Sequence, residues 1–205
     1  MDDAVTASSE SIASGHAAAA LPRLDAIIRR HALDYANVTA TIRVARSPQE
    51  SMHYALSAAL AKQPVKVIFS NWAEAYYLKS LAHAQLAQDD AADTALSDAL
   101  ALAPNNSRYL LKWAERLMTA KKYSPALTAY DAAEQAVELA PEALRATERA
   151  QAIRGAAAAM LALGQTDRAR DRLRSGHAVL PDDKGITMAL SEIERDPRSV
   201  GERLF

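Results

Sequence analysis

The chain has 205 residues, 50% hydrophobic and 24% charged, with 8 prolines and 6 glycines, a balance typical of a globular protein able to bury a sizeable core. Its 24 basic and 25 acidic residues leave a net charge of −1, so no global field favours nucleic acid or an anionic membrane. The absence of cysteine excludes disulfides, thiol nucleophiles and cysteine-ligated zinc.

No apolar run approaches the roughly 18 to 20 residues that span a bilayer; the longest candidate, GAAAAMLALG at 155–164, is too short for membrane insertion. The N-terminus MDDAVTASSESIASG is acidic and lacks a hydrophobic signal core. With Met1 as the native start the expected location is the cytoplasm, whereas a periplasmic or secreted chain would require that a leader had been removed.

Residues 1–72 predict two degenerate helix pairs and a connector. The first pair joins VTASSESIAS to AAAALPRLDAIIRRHA, and the second joins YANVTATIRVAR to PQESMHYALSAALAK. The following PVKVIFSNW at 64–72 is β-branched and aromatic, a strand signal in isolation. With no partner strand in view, it reads as an extended connector burying Val67, Phe69 and Trp72 between helix pairs.

Residues 73–184 carry the clearest internal repetition. The pair Ala92 and Leu96 recurs in type as Ala20 and Leu24, Met52 and Leu56, Ala126 and Tyr130, and Ala169 and Leu173, at successive offsets of 32, 40, 34 and 43 residues. Met52 stands where alanine is expected, so packing there must differ. Apolar residues recur at helical spacing (Leu96, Ala99, Leu100; Leu110, Trp113, Ala114, Leu117), giving each helix a buried stripe. Small residues such as Ser80, Ala92 and Ala99, then Ala114, Ala126 and Ala133, then Ala157, Ala169 and Gly176 predict crossings where backbones approach closely.

Turn signals divide the pattern. Pro104 and Pro181 end the second helix of a pair; KKYSPAL marks a turn inside one, with Ser124 as N-cap and Pro125 as first helical residue. Asp89, Asp90 and Asp93 stand where a helix begins and read as macrodipole partners rather than ligands of a hard metal. Residues 185–205 predict a capping helix, GITMALSEIERD, with Ile186, Ala189, Leu190 and Ile193 on one face, then a loose tail beyond Pro197.

Signatures of catalysis are missing. HExxH, GxSxG, GxxxxGK[ST] and GxGxxG do not occur, and His16, His31, His53, His83 and His177 include no pair at i, i+3 or i+4, so no metal site is expected. SGH occurs at 14–16 and 175–177, at different phases of the repeat, and reads as coincidence. Arg168, Arg170, Arg172 and Arg174 alternate every second residue beside Asp167 and Asp171, which on a helix spreads them around a solvated surface. No catalytic residue and no cofactor are assigned.

The segments resemble tetratricopeptide (TPR) repeats, helix pairs with a period of about 34 residues. The resemblance rests on Ser80, Ala92, Ala99 and Pro104 in 73–106, on YSPALTAYDAA in 107–141, and on GAAAAMLALGQTDRARDRLRSGHAVLPDD in 150–184. It implies an all-α fold: a right-handed superhelical α-solenoid of antiparallel helix pairs with a C-terminal capping helix, one continuous domain. In that family the first helix of each pair lines a concave groove, which places Glu74, Tyr77, Leu81, Gln85, Arg108, Leu111, Lys112, Glu115, Met118 and Arg154 on it. Members that clamp a C-terminal carboxylate use lysine and asparagine at set positions, two of which are Tyr77 and Leu81 here, so that mode is not expected. The implied function is a non-catalytic scaffold or adaptor binding a peptide or helix of another protein. Self-association as a structural or assembly subunit is the alternative, and an enzyme with an unrecognised site the second.

Overall fold

The computed structural model describes residues 3–195. Among them the chain is all-α, apart from two short strands. In order, the elements are α1 (Asp3–Ala13), α2 (Ala17–Asp34), β1 (Thr41–Val44), α3 (Pro48–Leu60), β2 (Val65–Ile68), α4 (Trp72–Gln85), α5 (Asp89–Leu102), α6 (Ser107–Thr119), α7 (Tyr123–Ala136), α8 (Glu142–Ala162), α9 (Thr166–Val179) and α10 (Lys184–Arg195). No described helix is long and apolar enough to cross a membrane. The chain divides into two compact units, Met1–Pro104 and Asn105–Phe205.

In the first unit α1 packs on α2, α2 on α4 and α4 on α5. The helix pairs turn sharply because the residue after the first helix adopts a left-handed conformation. Gly15 does so at φ +83°, and His16 N then donates to Ser11 O at 2.8 Å, closing carbonyls that the helix end leaves open. Ala20, Leu24, Ala92, Leu96 and Ala99 are all fully buried, so the small anchors lie in the core as their spacing requires.

The second predicted pair is different. YANVTATIRVAR does not form a helix; Thr41–Val44 is a strand paired in parallel with Val65–Ile68, in register from Thr41 opposite Val65 to Val44 opposite Ile68. Thr41, Ile42, Val44, Val65, Val67 and Ile68 suit a pleated surface through their branching, and parallel strands need a crossover, which α3 supplies. The segment 64–72 is therefore not a buried connector: Phe69 is exposed, and Val67 and Trp72 are half-buried. Trp72 stacks instead on His31 and Tyr35, at ring centroid distances of 5.7 and 5.8 Å.

At the start of α3, Ser47 accepts from Glu50 N at 3.0 Å, while the buried Glu50 carboxylate accepts from Arg46 N at 2.8 Å and from the Tyr54 hydroxyl at 2.7 Å. This reciprocal cap satisfies amides that the helix start would otherwise leave open. Met52, at the anchor position, is 73% exposed and Leu56 61%, so this anchor pair alone of the five does not enter the core.

A charged cluster joins α2, α4 and α5. Lys79 donates to Asp25 at 2.7 Å, and burial raises the Asp98 carboxyl above its ordinary 3.8, with the Lys79 charge opposing the shift. The folded protein thus binds that proton more tightly than the unfolded chain. The resulting stabilisation is complete below 3.8 and is lost as pH rises through the raised value. Asp98→Asn is expected to raise the melting temperature at neutral pH, with a gain that shrinks on acidification towards 3.8; melting curves across that range check it.

In the second unit each helix packs on the next, and α8 also packs on α6 and α10. Ala126, Tyr130, Ala133, Ala169 and Leu173 are buried. Their neighbours include Leu111, Ala114, Ala156 and Ala159 on one side and Ile153, Ile186 and Ile193 on the other. The α6 N-terminus is capped by Asn106, whose side chain accepts from Arg108 N at 3.1 Å, and the buried Ser107 hydroxyl donates to Glu148 of α8. A carboxylate there also complements the helix dipole.

Three turn readings need correction. The N-cap of α7 is Lys122, so Ser124 and Pro125 lie within the first turn; proline is tolerated there because first-turn amides have no intrahelical partner. The segment 107–141 was expected to close at its last residue, Pro141; instead α7 runs into a 3-10 turn at Val137–Leu139 and Pro141 is the N-cap of α8. Starting at Glu142, α8 is about two turns longer than the repeat frame from 150 suggested. Asp89 and Asp90 lie in the first turn of α5. In α10, Ile186, Ala189 and Ile193 are buried and Leu190 half-buried, while the tail beyond Pro197 lies outside the described residues.

Candidate binding cleft

The α8 helix can form a floor because its residues 151, 154, 155 and 158 fall on one helical face and two of them, Gly155 and Ala158, are small. Between α6, α8 and α10 this floor opens into a cleft of about 720 Å³. Leu111 and Met118 of α6 and Met188 and Ala189 of α10 form its apolar walls, and Glu115, Gln151 and Glu192 provide polar groups. Met188 is 63% exposed, a large apolar side chain left open beside the small floor residues Gly155 and Ala158.

Tyr130 reaches the cleft from α7. A Cβ on Gly155 would lie 2.2 Å from the Tyr130 ring, so the absence of a side chain at 155 is what lets the ring lie against α8. The phenol is 6% exposed; burial raises its pKa, and the Glu115 carboxylate raises it further, so it stays protonated and available as a donor.

Arg154 is a structural wall of the cleft. Its guanidinium donates to Asp183 at 2.8 Å, and the same carboxylate oxygen accepts from Ile186 N at 2.8 Å, so one acid both caps α10 and ties it to α8. A Cβ on Gly185 would fall 2.7 Å from the Arg154 guanidinium, so a side chain there would make Arg154 shift. Across the cleft Lys112 pairs with Glu115. Glu192 has no ion-pair partner among the described residues.

Of the residues expected on a groove, the cleft brings together Leu111, Glu115, Met118 and Arg154. Arg108 and Lys112 are half-buried on α6 and do not line it. On α4, Glu74 and Leu81 are half-buried and Gln85 is exposed, while Tyr77 is 6% exposed and offers little surface to a partner. Sequence reasoning missed Tyr130, Gln151, Gly155, Met188 and Glu192. Met188 and Glu192 were within reach, since they lie off the Ile186–Ala189–Ile193 stripe of α10.

The arginine run is dispersed: Arg168 donates to Gln165 at 2.6 Å, Arg170 to Asp167 at 2.7 Å and Arg174 to Glu194 at 2.8 Å. Arg172 bonds to Asp131 at 2.8 Å and to Glu134, fastening α9 to α7. In the two SGH segments Ser14 and His16 are 3.3 Å apart, whereas His177 meets Thr187 at 3.4 Å, so no shared arrangement exists. No group of three or more histidine or acidic residues among those described could hold a metal ion. The chain matches no protein-family model, no curated protein and no solved structure.

Proposed function

We propose that this chain is a non-catalytic binding module that receives a peptide or helix of another protein in the cleft between α6, α8 and α10. The observation that carries this reading is the exposed Met188 beside a floor that Gly155 and Ala158 keep open, with Glu192, which has no ion-pair partner among the described residues, on the same helix. A partner helix presenting apolar side chains at i, i+3 and i+4 would cover Met188, the one large apolar side chain of the cleft wall that is left open, and a basic residue on its flank would meet Glu192.

The resemblance of the helix pairs to TPR repeats supports the same reading. In this account the pairs form a right-handed superhelical solenoid, α6 and α8 are first helices lining its inner surface, and α10 caps the end.

The test is affinity capture from an extract with the native chain and a Met188→Glu, Glu192→Lys variant, read by mass spectrometry. A protein held by the native chain and lost by the variant is the expected result. Retention of the same proteins by both, or of none by either, would contradict the proposal.

A further inference from the structure

We infer that α3 is a self-association surface, on which the Met52, Leu56 and Leu60 stripe packs antiparallel against the same stripe of a second copy of this chain. The helix has two unlike faces. Glu50 and Tyr54, one turn apart, are 1% and 4% exposed and face inward. Met52, Leu56 and Leu60 also follow each other at one-turn intervals, about half a revolution away. They are 73%, 61% and 80% exposed.

The outward face is also uncharged. From Pro48 to Ala61 the only acidic or basic side chain, histidine apart, is Glu50, which is buried and hydrogen-bonded to Tyr54 and the Arg46 amide. A helix face turned permanently to water normally carries charge. Exposed Ala55 and Ala59 flank the large side chains, so a partner helix can approach closely with large residues beside small ones.

The chemistry of this face selects its occupant. A membrane surface would call for lysine or arginine along the helix, and there is none between Pro48 and Ala61. In a two-fold contact a patch meets its own copy, and this patch offers its copy only apolar and small groups. Antiparallel alignment also brings opposite ends of the two helix dipoles together. The three large side chains, at on the order of 100 Å² each, supply somewhat under half of the ~800 Å² per partner of a standard interface. An interface below the standard size belongs to weak, reversible association, so the test spans the micromolar range.

The experiment is sedimentation equilibrium of the full chain across that range. The native mass is expected to rise from 22.1 kDa towards twice that value. Leu56→Glu should remain monomeric with an unchanged circular dichroism spectrum and melting temperature, because the side chain is exposed. Met188→Glu should dimerise like the native chain. Since the chain has no cysteine, Leu56→Cys gives a direct second reading: mild oxidation should yield a covalent dimer. A native chain that stays monomeric at every concentration overturns the inference. So does dimerisation of Leu56→Glu at native strength, or loss of the dimer in Met188→Glu alone, which would place the contact in the cleft.

Discussion

Leu96→Ala is expected to lower the free energy of unfolding by about 2 to 5 kcal/mol, whereas Leu56→Ala should change it by no more than about 0.5 kcal/mol. The two leucines hold the same place in the repeated pattern, each four residues after an anchor. Leu96 is fully buried among packed helices, so truncation removes transfer energy and leaves a cavity; Leu56 is 61% exposed and leaves none. Urea unfolding of both variants measures the contrast. Equal losses would mean that α3 packs into the core after all.

Ala126→Leu carries the second large effect, a loss of about 1 to 3 kcal/mol. Ala126 is fully buried and shares a core with Leu111, Ala114, Tyr130, Ala156 and Ala159. Three added carbons at this crossing must either separate the helices or displace a neighbour. Tyr130 is the neighbour with the least room, since its ring already lies against Gly155. The variant should therefore melt lower and also bind more weakly in the cleft, which Tyr130 lines. An unchanged melting temperature would remove Ala126 from the crossing.

These two predictions mark where the sequence was legible. Helix pairs with small crossing residues show as spacing, because close backbone approach admits little besides glycine, alanine and serine, and the anchors at 20, 92, 126 and 169 all lie in the core. Long-range pairing does not show in that way. Thr41–Val44 and Val65–Ile68 are separated by the whole of α3, so neither strand has a visible partner in a local window, and TIRV was absorbed into a helix. Met52 did carry a signal, as a large residue at a small position, though its exposure was not foreseen.

The cleft was half legible. A helical period identifies the α6 and α8 faces that yield Leu111, Glu115, Met118 and Arg154, but not the depth of a side chain. Tyr77, Leu111 and Met118 obey the same period and are all buried, whereas Glu115 is exposed. The roles of Tyr130 and Gly155 depend on a contact between α7 and α8, which no spacing within one helix can encode.

The most direct measurement is to select peptides from a random library against the native chain, then titrate them calorimetrically into native, Met188→Glu and Leu56→Glu proteins. The selected peptides are expected to carry apolar residues at helical spacing, to bind Met188→Glu at least about tenfold more weakly, a loss of ~1.4 kcal/mol, and to bind Leu56→Glu as they bind the native chain. Equal affinity for native and Met188→Glu proteins would contradict the binding proposal.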